Sequence, residues 1–146
     1  ILKKPGKLTP EEFEIIRSHT VLGDSILLNF TAIPGIRDGA HYHHERYDGG
    51  GYPDGLRGED IPLCARIICV ADSYDAMSSN RCYRRRLEKD VILRELRENA
   101  GKQFDPRIVP YMVEMINDGF TARVQAEYPG ADPVSDPRDA AAEAQA

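Results

Sequence analysis

The spacing of apolar and polar positions predicts a chain built from helices. The segment from Thr9 to Glu12 has a threonine that can cap a helix, a proline at the first helical position and a glutamate that completes a capping box. A Pro34-Gly35 break ends this pattern, and Ile36 to His44 is predicted to form a short second helix. The apolar residues that follow helical spacing in the first helix are Phe13, Ile16, Val21, Leu22 and Ile26.

Three later segments continue the helical pattern. Leu63 to Met77 contains the unbroken apolar run Ile67 to Ala71, which favours a buried helix, with a short buried strand as the alternative. Glu88 to Ala100 places its apolar residues on one side of an amphipathic helix. Asp105-Pro106 is expected to open a further helix, in which Pro110 would strain the first turns. The predicted class is all-α.

The length of the chain is sufficient for one domain with a buried core, since it has 146 residues. Residues 121–146 are rich in alanine, proline and aspartate and poor in large apolar side chains. We therefore predict a domain over residues 1–120 and a disordered tail over 121–146. The opening residues Ile1 to Gly6 resemble the interior of a protein, so we expect the chain to be a fragment.

Composition and charge limit the classes of partner. Nineteen basic and 24 acidic residues give a net charge of −5, which disfavours general binding to nucleic acid. No run approaches the roughly 18 apolar residues that a membrane span needs, and no secretory signal is present. An odd number of cysteines without CxxC spacing favours free thiols, so we expect a reducing, cytoplasmic location. These cysteines are Cys64, Cys69 and Cys82.

The eleven residues from His43 to Pro53 carry the strongest chemical signal. They contain two adjacent histidines and two carboxylates, and they end in three glycines, a tyrosine and a proline. Neutral imidazole is a common ligand of transition metals, and glycines let backbone approach a ligand closely. On a helix, the side chains of His43 and His44 would diverge by about 100°. Two metals would then suit the pair better than one, and we predict a metal-assisted hydrolase.

Other histidine and aspartate residues are weaker candidates. Asp72 follows five apolar residues, and a carboxylate in a core is costly unless it is paired or metal-bound. A local cap or salt bridge is the alternative for Asp72. His19 lies among apolar residues of the first helix, where spacing does not distinguish a core histidine from a ligand. His41 would point away from His43 and His44 on a helix, and we expect it not to bind metal.

A basic run from Arg81 to Arg86 interrupts an acidic chain. A guanidinium binds phosphate oxygens in a bidentate way, so such a cluster suits an anionic substrate. Arg81 and Arg84 are three residues apart and could together clamp one phosphodiester. A solvated surface is the alternative, and we prefer it for Arg85 and Arg86.

The run H-H-E-x-x-D-G-x-G-Y-P at His43 to Pro53, followed by Val70 to Ala76, resembles the HD-GYP domains. These are bacterial phosphodiesterases of cyclic di-GMP within the HD superfamily. The segments Lys4 to Thr9 and Phe104 to Pro106 are also similar, and the resemblance covers about Ile1 to Ile116. It implies a helical bundle that hydrolyses cyclic di-GMP to linear pGpG, to GMP or to both.

The same resemblance implies roles for particular residues. It places metal ligands at His19, His43, His44 and Asp72. It places Tyr52 against the base or sugar of the dinucleotide, and it places Arg81 and Arg84 against phosphate. It implies two or three divalent transition metals, with iron first, while nitrogen and oxygen ligands also admit manganese, nickel or zinc.

One part of the family pattern is absent from these 146 residues. The His-Asp pair, its nearby lysine and an earlier ligand helix are expected upstream of Ile1. We therefore expect the parent protein to hydrolyse the dinucleotide and this chain alone not to do so. The resemblance also implies an upstream sensor or receiver domain and docking of diguanylate cyclase domains through the GYP loop. The alternatives are a non-catalytic module that senses the dinucleotide or docks a cyclase, and a hydrolase of another cyclic dinucleotide.

Overall fold

The computed structural model describes residues 4, 7–80 and 85–128, and within these ranges the fold is all-helical, as predicted. No β-strand forms there, and a single bridge joins Ala100 to Phe104. None of the helices in these ranges is long and apolar enough to cross a membrane. The helices are α1 (Pro10–Ile26), α2 (Ile36–Tyr42), α3 (Leu63–Ser78), α4 (Lys89–Glu98), α5 (Val109–Asn117) and α6 (Phe120–Glu127), with a 3₁₀ turn at Gly58–Asp60.

Helix α1 begins at the capping box that the sequence predicts. The Thr9 hydroxyl accepts a hydrogen bond from the Glu12 backbone N–H at 3.3 Å, and the Glu12 carboxylate accepts one from the Thr9 N–H at 2.8 Å. Lys4 adds an ion pair to the same carboxylate at 2.6 Å. Helix α2 follows Gly35, whose φ of 77° suits a residue without a Cβ.

The hydrophobic core lies between α3, α4 and α5. Helix α1 contributes a single fully buried side chain to the described fold, that of Thr20, and packs against α2, which packs in turn against α3. Most of the apolar residues that follow helical spacing in α1 are therefore exposed. The core residues are Cys69, Val70, Ile92, Leu93, Leu96, Phe104, Val109, Met112 and Ile116.

Helix α5 begins later than the sequence predicts. Asp105 accepts a hydrogen bond from the Arg107 backbone N–H at 2.8 Å, which holds residues 105–108 in a turn before Val109. Pro110 then occupies the second helical position. A backbone N–H at that position has no partner within the helix, so proline removes nothing there. The prediction that Pro110 strains the first turns of the helix is therefore wrong.

Helical structure continues past residue 120, where the predicted tail begins. Residues 121–127 belong to α6, which begins after Gly119 and packs against α5. Phe120 and Val124 stand one helical turn apart, a spacing that two apolar residues can share against a neighbouring helix. The rest of the predicted tail, residues 129–146, lies outside the described residues.

Candidate metal centre

Helices α1 and α2 bring three histidines together. His19 lies in α1, whereas His43 and His44 follow the last residue of α2. The two helices approach closely at Gly23, where a Cβ would stand 3.6 Å from that of Ala40. Between α2 and α3, a Cβ at Gly39 would stand 2.7 Å from Ile68 Cδ1, so this contact has little room for a side chain. Small residues at these contacts thus set the position of the histidine pair.

The three imidazoles form one compact cluster. Each offers a ligand nitrogen, and these atoms all lie within 4.8 Å of one another. The rings of His43 and His44 have centroids 4.2 Å apart, so the predicted divergence of the two side chains does not occur. Both residues lie beyond the last residue of α2, so the angle of about 100° between neighbouring side chains of a helix does not apply to them. One ion could therefore contact all three histidines.

Hydrogen bonds orient the ligand nitrogens of His19 and His43. The Nδ1 of His43 lies 2.9 Å from the Ala40 carbonyl oxygen, and the Nδ1 of His19 lies 2.5 Å from that of Ile16. Each Nδ1 is placed to donate to a backbone carbonyl, which leaves the Nε2 lone pair available to a metal.

The distance between these two ligand nitrogens fits a shared metal ion. The Nε2 atoms of His19 and His43 are 3.2 Å apart. Two nitrogens at about 2.1 Å from one ion stand roughly 3.0–3.4 Å apart when the angle between them is 90–110°. Two facing acceptor nitrogens need a proton or a cation between them. The donor set therefore fits a divalent transition metal.

The environment of His44 favours its neutral form. The pKa of His44 is lowered to about 4 by burial first and then by the neighbouring His43 and His19, while Asp72 acts in the opposite direction. A histidine with this pKa is uncharged at neutral pH. The uncharged ring is the form that binds a metal.

Asp72 stands near the histidine cluster but is not part of it. Its side chain is exposed on α3, and the group of ligand atoms within 4.8 Å of one another does not include it. Its charge nevertheless acts on His44 and on Tyr52. His41 instead lies 4.0 Å from a carboxylate oxygen of Asp24 and 3.9 Å from one of Asp54.

Tyr52 covers one side of the cluster. Its ring stacks on that of His44 with centroids 4.9 Å apart and an interplanar angle of 28°. From α1, the Arg17 guanidinium lies 5.0 Å from the ring centroid of Tyr52, and the Phe13 ring packs edge-to-face with Tyr52 at 6.1 Å between centroids. Sequence reasoning missed Arg17 and Phe13 at this place. Their spacing of four on α1 puts them on one face, but nothing in the sequence paired that face with Tyr52.

Glu45 holds the loop that carries Tyr52. The side chain is buried, and Oε1 accepts hydrogen bonds from the backbone N–H groups of Asp54 at 2.7 Å and Gly55 at 2.9 Å. Arg46 and Asp48 form a two-point ion pair on the neighbouring turn. These two carboxylates of the motif therefore shape the loop. Arg81 and Arg84, the predicted phosphate contacts, lie outside the described residues.

Comparison with protein families identifies the class of this domain. A family model described as HD domain matches residues 1–108. The chain belongs to the HD domain family, and the predicted resemblance to HD-GYP phosphodiesterases is confirmed.

Curated relatives carry related names. A cyclic di-GMP phosphodiesterase of Thermotoga maritima is 43% identical over 118 residues, which cover 79% of this chain and 32% of the relative. The cyclic di-GMP phosphodiesterase response regulator RpfG of Xanthomonas campestris pv. campestris is 44% identical over 116 residues, which cover 75% of this chain and 29% of the relative. A 3′3′-cGAMP-specific phosphodiesterase 2 of Vibrio cholerae is 37% identical over 116 residues, which cover 78% of this chain and 22% of the relative. The chain thus spans less than a third of these relatives.

A solved structure supports the fold. The crystal structure of a cyclic GMP-AMP specific phosphodiesterase of Vibrio cholerae aligns with a TM-score of 0.59 at 24% identity. The alignment covers 76% of this chain and 25% of that chain. At this identity the likeness concerns the helical architecture alone.

Proposed function

We propose that this chain carries part of the centre of a metal-dependent phosphodiesterase that hydrolyses cyclic di-GMP to linear pGpG, to GMP or to both. The observation that carries this proposal is the cluster of three histidines whose ligand nitrogens lie within 4.8 Å of one another, beside the loop that holds Tyr52. Relatives named as cyclic di-GMP phosphodiesterases, at 43% and 44% identity, support the choice of substrate.

The metal ligands in this proposal are His19, His43 and His44, with Asp72 as a carboxylate donor. The electrostatic effect of Asp72 on His44 supports its inclusion, although its side chain is not in the histidine cluster. Bound divalent ions supply Lewis acidity to a phosphoryl group and lower the pKa of water. Iron is the first choice by family resemblance, and manganese, nickel or zinc also accept nitrogen and oxygen ligands.

Four side chains are too few for the two or three ions that the resemblance implies, because each ion takes four or more donors. The remaining ligands, with the His-Asp pair and the proton-donating lysine, would come from residues outside these 146. On this proposal the chain alone binds metal but does not hydrolyse the dinucleotide.

Tyr52 is the proposed contact to a base or sugar of the substrate. A tyrosine ring that already stacks on His44 is fixed in orientation, and aromatic rings are common stacking partners of nucleobases. Arg81 and Arg84 are the proposed phosphate contacts, and this assignment rests on the resemblance.

The proposed neighbouring domain and protein partners follow from the same family resemblance. An upstream sensor or receiver domain would regulate the centre, and diguanylate cyclase domains would dock on the loop around Tyr52. A reducing cytoplasm is the proposed location, and the free thiols of Cys64 and Cys69 support it.

A second candidate substrate is the mixed dinucleotide 3′3′-cGAMP. The relative of Vibrio cholerae that is 37% identical carries a name specific for that compound. The two substrates share their phosphodiester linkages and differ in one base. Both should therefore be assayed side by side.

The decisive experiment is hydrolysis by the full-length protein with iron(II) or manganese, with products separated by chromatography. The test variant is the double substitution His43→Ala, His44→Ala, and the matched control is His41→Ala, since His41 stands apart from the histidine cluster. We expect the double variant to lose bound metal and turnover, and the control to keep both.

Two results would overturn the proposal. Turnover that survives loss of both histidines would place the chemistry elsewhere. Wild-type protein that binds metal and cyclic di-GMP but never cleaves it would favour a sensing or docking module.

A further inference from the structure

We propose that Arg17 binds a phosphate group of the substrate at the histidine cluster and that Tyr52 positions it for this contact. The proposal rests on the proposed function, because it names a residue that would determine substrate affinity at the same site.

The first observation is the position of the guanidinium. Its Cζ atom lies 5.0 Å from the ring centroid of Tyr52, and the same ring stacks on His44 at 4.9 Å. The Arg17 guanidinium and the His44 imidazole, a candidate metal ligand, therefore contact the same aromatic ring. A guanidinium stacked on an aromatic face keeps its N–H donors at the edge of its plane, where an anion can reach them.

The second observation is the weak attachment of this cation. In the described part of the chain, the one hydrogen bond of the guanidinium runs from Nη1 to Glu14 Oε1 at 2.8 Å. The Glu14 side chain is 66% exposed and that of Arg17 is 33% exposed. An exposed pair between residues three apart contributes little, so a substrate oxyanion can replace the carboxylate.

Three other arginines of the described residues are held by carboxylates. Arg37 makes two hydrogen bonds to Asp24, and Arg46 makes two to Asp48. Arg66 is buried against Asp105. Arg17 differs from these three in holding its carboxylate through one exposed contact.

A competing explanation is that Arg17 only braces the Tyr52 ring. The two roles predict different ligand dependence. A residue that binds phosphate affects every phosphodiester, whereas a brace for Tyr52 affects only ligands that the tyrosine contacts through a base or sugar. The simple diester dimethyl phosphate has no base, sugar or aromatic ring that Tyr52 could stack on, so it separates the two roles.

The experiment measures equilibrium binding of cyclic di-GMP and of dimethyl phosphate to the metal-loaded full-length protein, at low and high salt. Arg17→Met keeps the apolar stem and removes the charge, while Arg17→Lys keeps a point charge. We expect Arg17→Met to weaken both ligands by about tenfold or more and to reduce the salt dependence of binding. Arg17→Lys should restore part of the affinity, and Glu14→Gln should leave affinity unchanged or raise it.

Metal content and turnover are measured on the same samples. Bound metal should not change in Arg17→Met, because Arg17 is not a ligand in this proposal. Weakening of cyclic di-GMP without weakening of the simple diester would overturn the phosphate role, as would loss of metal in Arg17→Met. Wild-type binding without turnover would remove the proposed function and leave the Arg17 result standing. Turnover by the wild type, together with unchanged affinity of Arg17→Met for both ligands, would overturn the Arg17 proposal and leave the proposed function standing.

Discussion

Gly51 sets the distance between the two halves of the His43–Pro53 segment. A Cβ at this position would stand 2.3 Å from the Arg46 backbone nitrogen, 2.5 Å from Glu45 Cα and 2.6 Å from the His44 carbonyl oxygen. The same carbonyl accepts a hydrogen bond from the Tyr52 N–H at 3.2 Å. The close approach that the glycine run predicts therefore occurs here between two stretches of the chain itself.

We predict that Gly51→Ala destabilises the domain and weakens metal binding. The methyl group has no space among backbone atoms, so the loop must move away from His44. The cost should be about 1–3 kcal/mol in the free energy of unfolding, as for other overpacked sites. Denaturant unfolding and titration with cobalt(II) measure the two effects.

Gly50→Ala is the matched control for Gly51→Ala. A Cβ at Gly50 would meet side-chain atoms, 3.3 Å from Asp48 Oδ1 and 3.5 Å from Arg46 Nε, and both side chains can shift. The control should lose less than half as much stability. Equal losses in the two variants would show that loop flexibility, and not the contact with the 44–46 backbone, explains the effect.

At the scale of secondary structure, a buried ion pair joins α3 to the connection between α4 and α5. Arg66 of α3 donates to the Asp105 carboxylate, and both side chains are buried. Arg107 donates to the same carboxylate and also pairs with Glu59 at 2.9 Å. One carboxylate thus fixes the turn before α5 and holds it against α3.

We predict that Asp105→Asn lowers the free energy of unfolding by about 3–5 kcal/mol, because it leaves the Arg66 charge buried without a counter-ion. Glu59→Gln, which removes an exposed partner from the same network, should cost less than about 1 kcal/mol. Urea denaturation of both variants makes the comparison. Similar losses would contradict the assignment of the stabilisation to the buried pair.

The pH dependence of stability should identify the same carboxylate. Burial raises the pKa of Asp105, but hydrogen bonds from Arg107 and Arg66 outweigh it and hold the net pKa below its ordinary value of 3.8. A lowered folded pKa stabilises the protein above the unfolded pKa, and this contribution is lost as the pH falls through the folded pKa. The stability difference between wild type and Asp105→Asn should therefore be constant near neutral pH and shrink below about pH 4. A difference that stays constant in acid would contradict this.

Signals within a few residues predicted the helices well. Contacts between distant segments determined the features that these signals did not predict. The capping box at Thr9 and the apolar run before Asp72 act within a few residues, and α1 and α3 formed as expected. The meeting of His19 with the His43–His44 pair depends on close contact between α1 and α2, which no single segment contains. The delayed start of α5 depends on hydrogen bonds to Asp105, a side chain that the sequence offered only as a helix opening.

At the scale of the whole molecule, α1 presents an apolar surface that the described residues do not cover. Ile15, Leu22 and Ile26 are seven and four residues apart, so they lie on one helix face, and their exposed fractions are 59%, 58% and 81%. The core lies between α3, α4 and α5, and none of the described residues covers this part of α1.

We predict that this surface makes the 146-residue chain bind the dye ANS and aggregate as its concentration rises, because contiguous exposed apolar area favours both. The double substitution Leu22→Glu, Ile26→Glu should reduce ANS fluorescence and raise the concentration at which light scattering begins. Both positions are exposed and glutamate is a good helix former, so the melting temperature should change little. Tyr111→Glu, at a residue of α5 that is 69% exposed, is the control and should leave the aggregation threshold unchanged. Aggregation that is unaffected by the α1 substitutions, or reduced equally by Tyr111→Glu, would show that general hydrophobicity and not the α1 surface drives association.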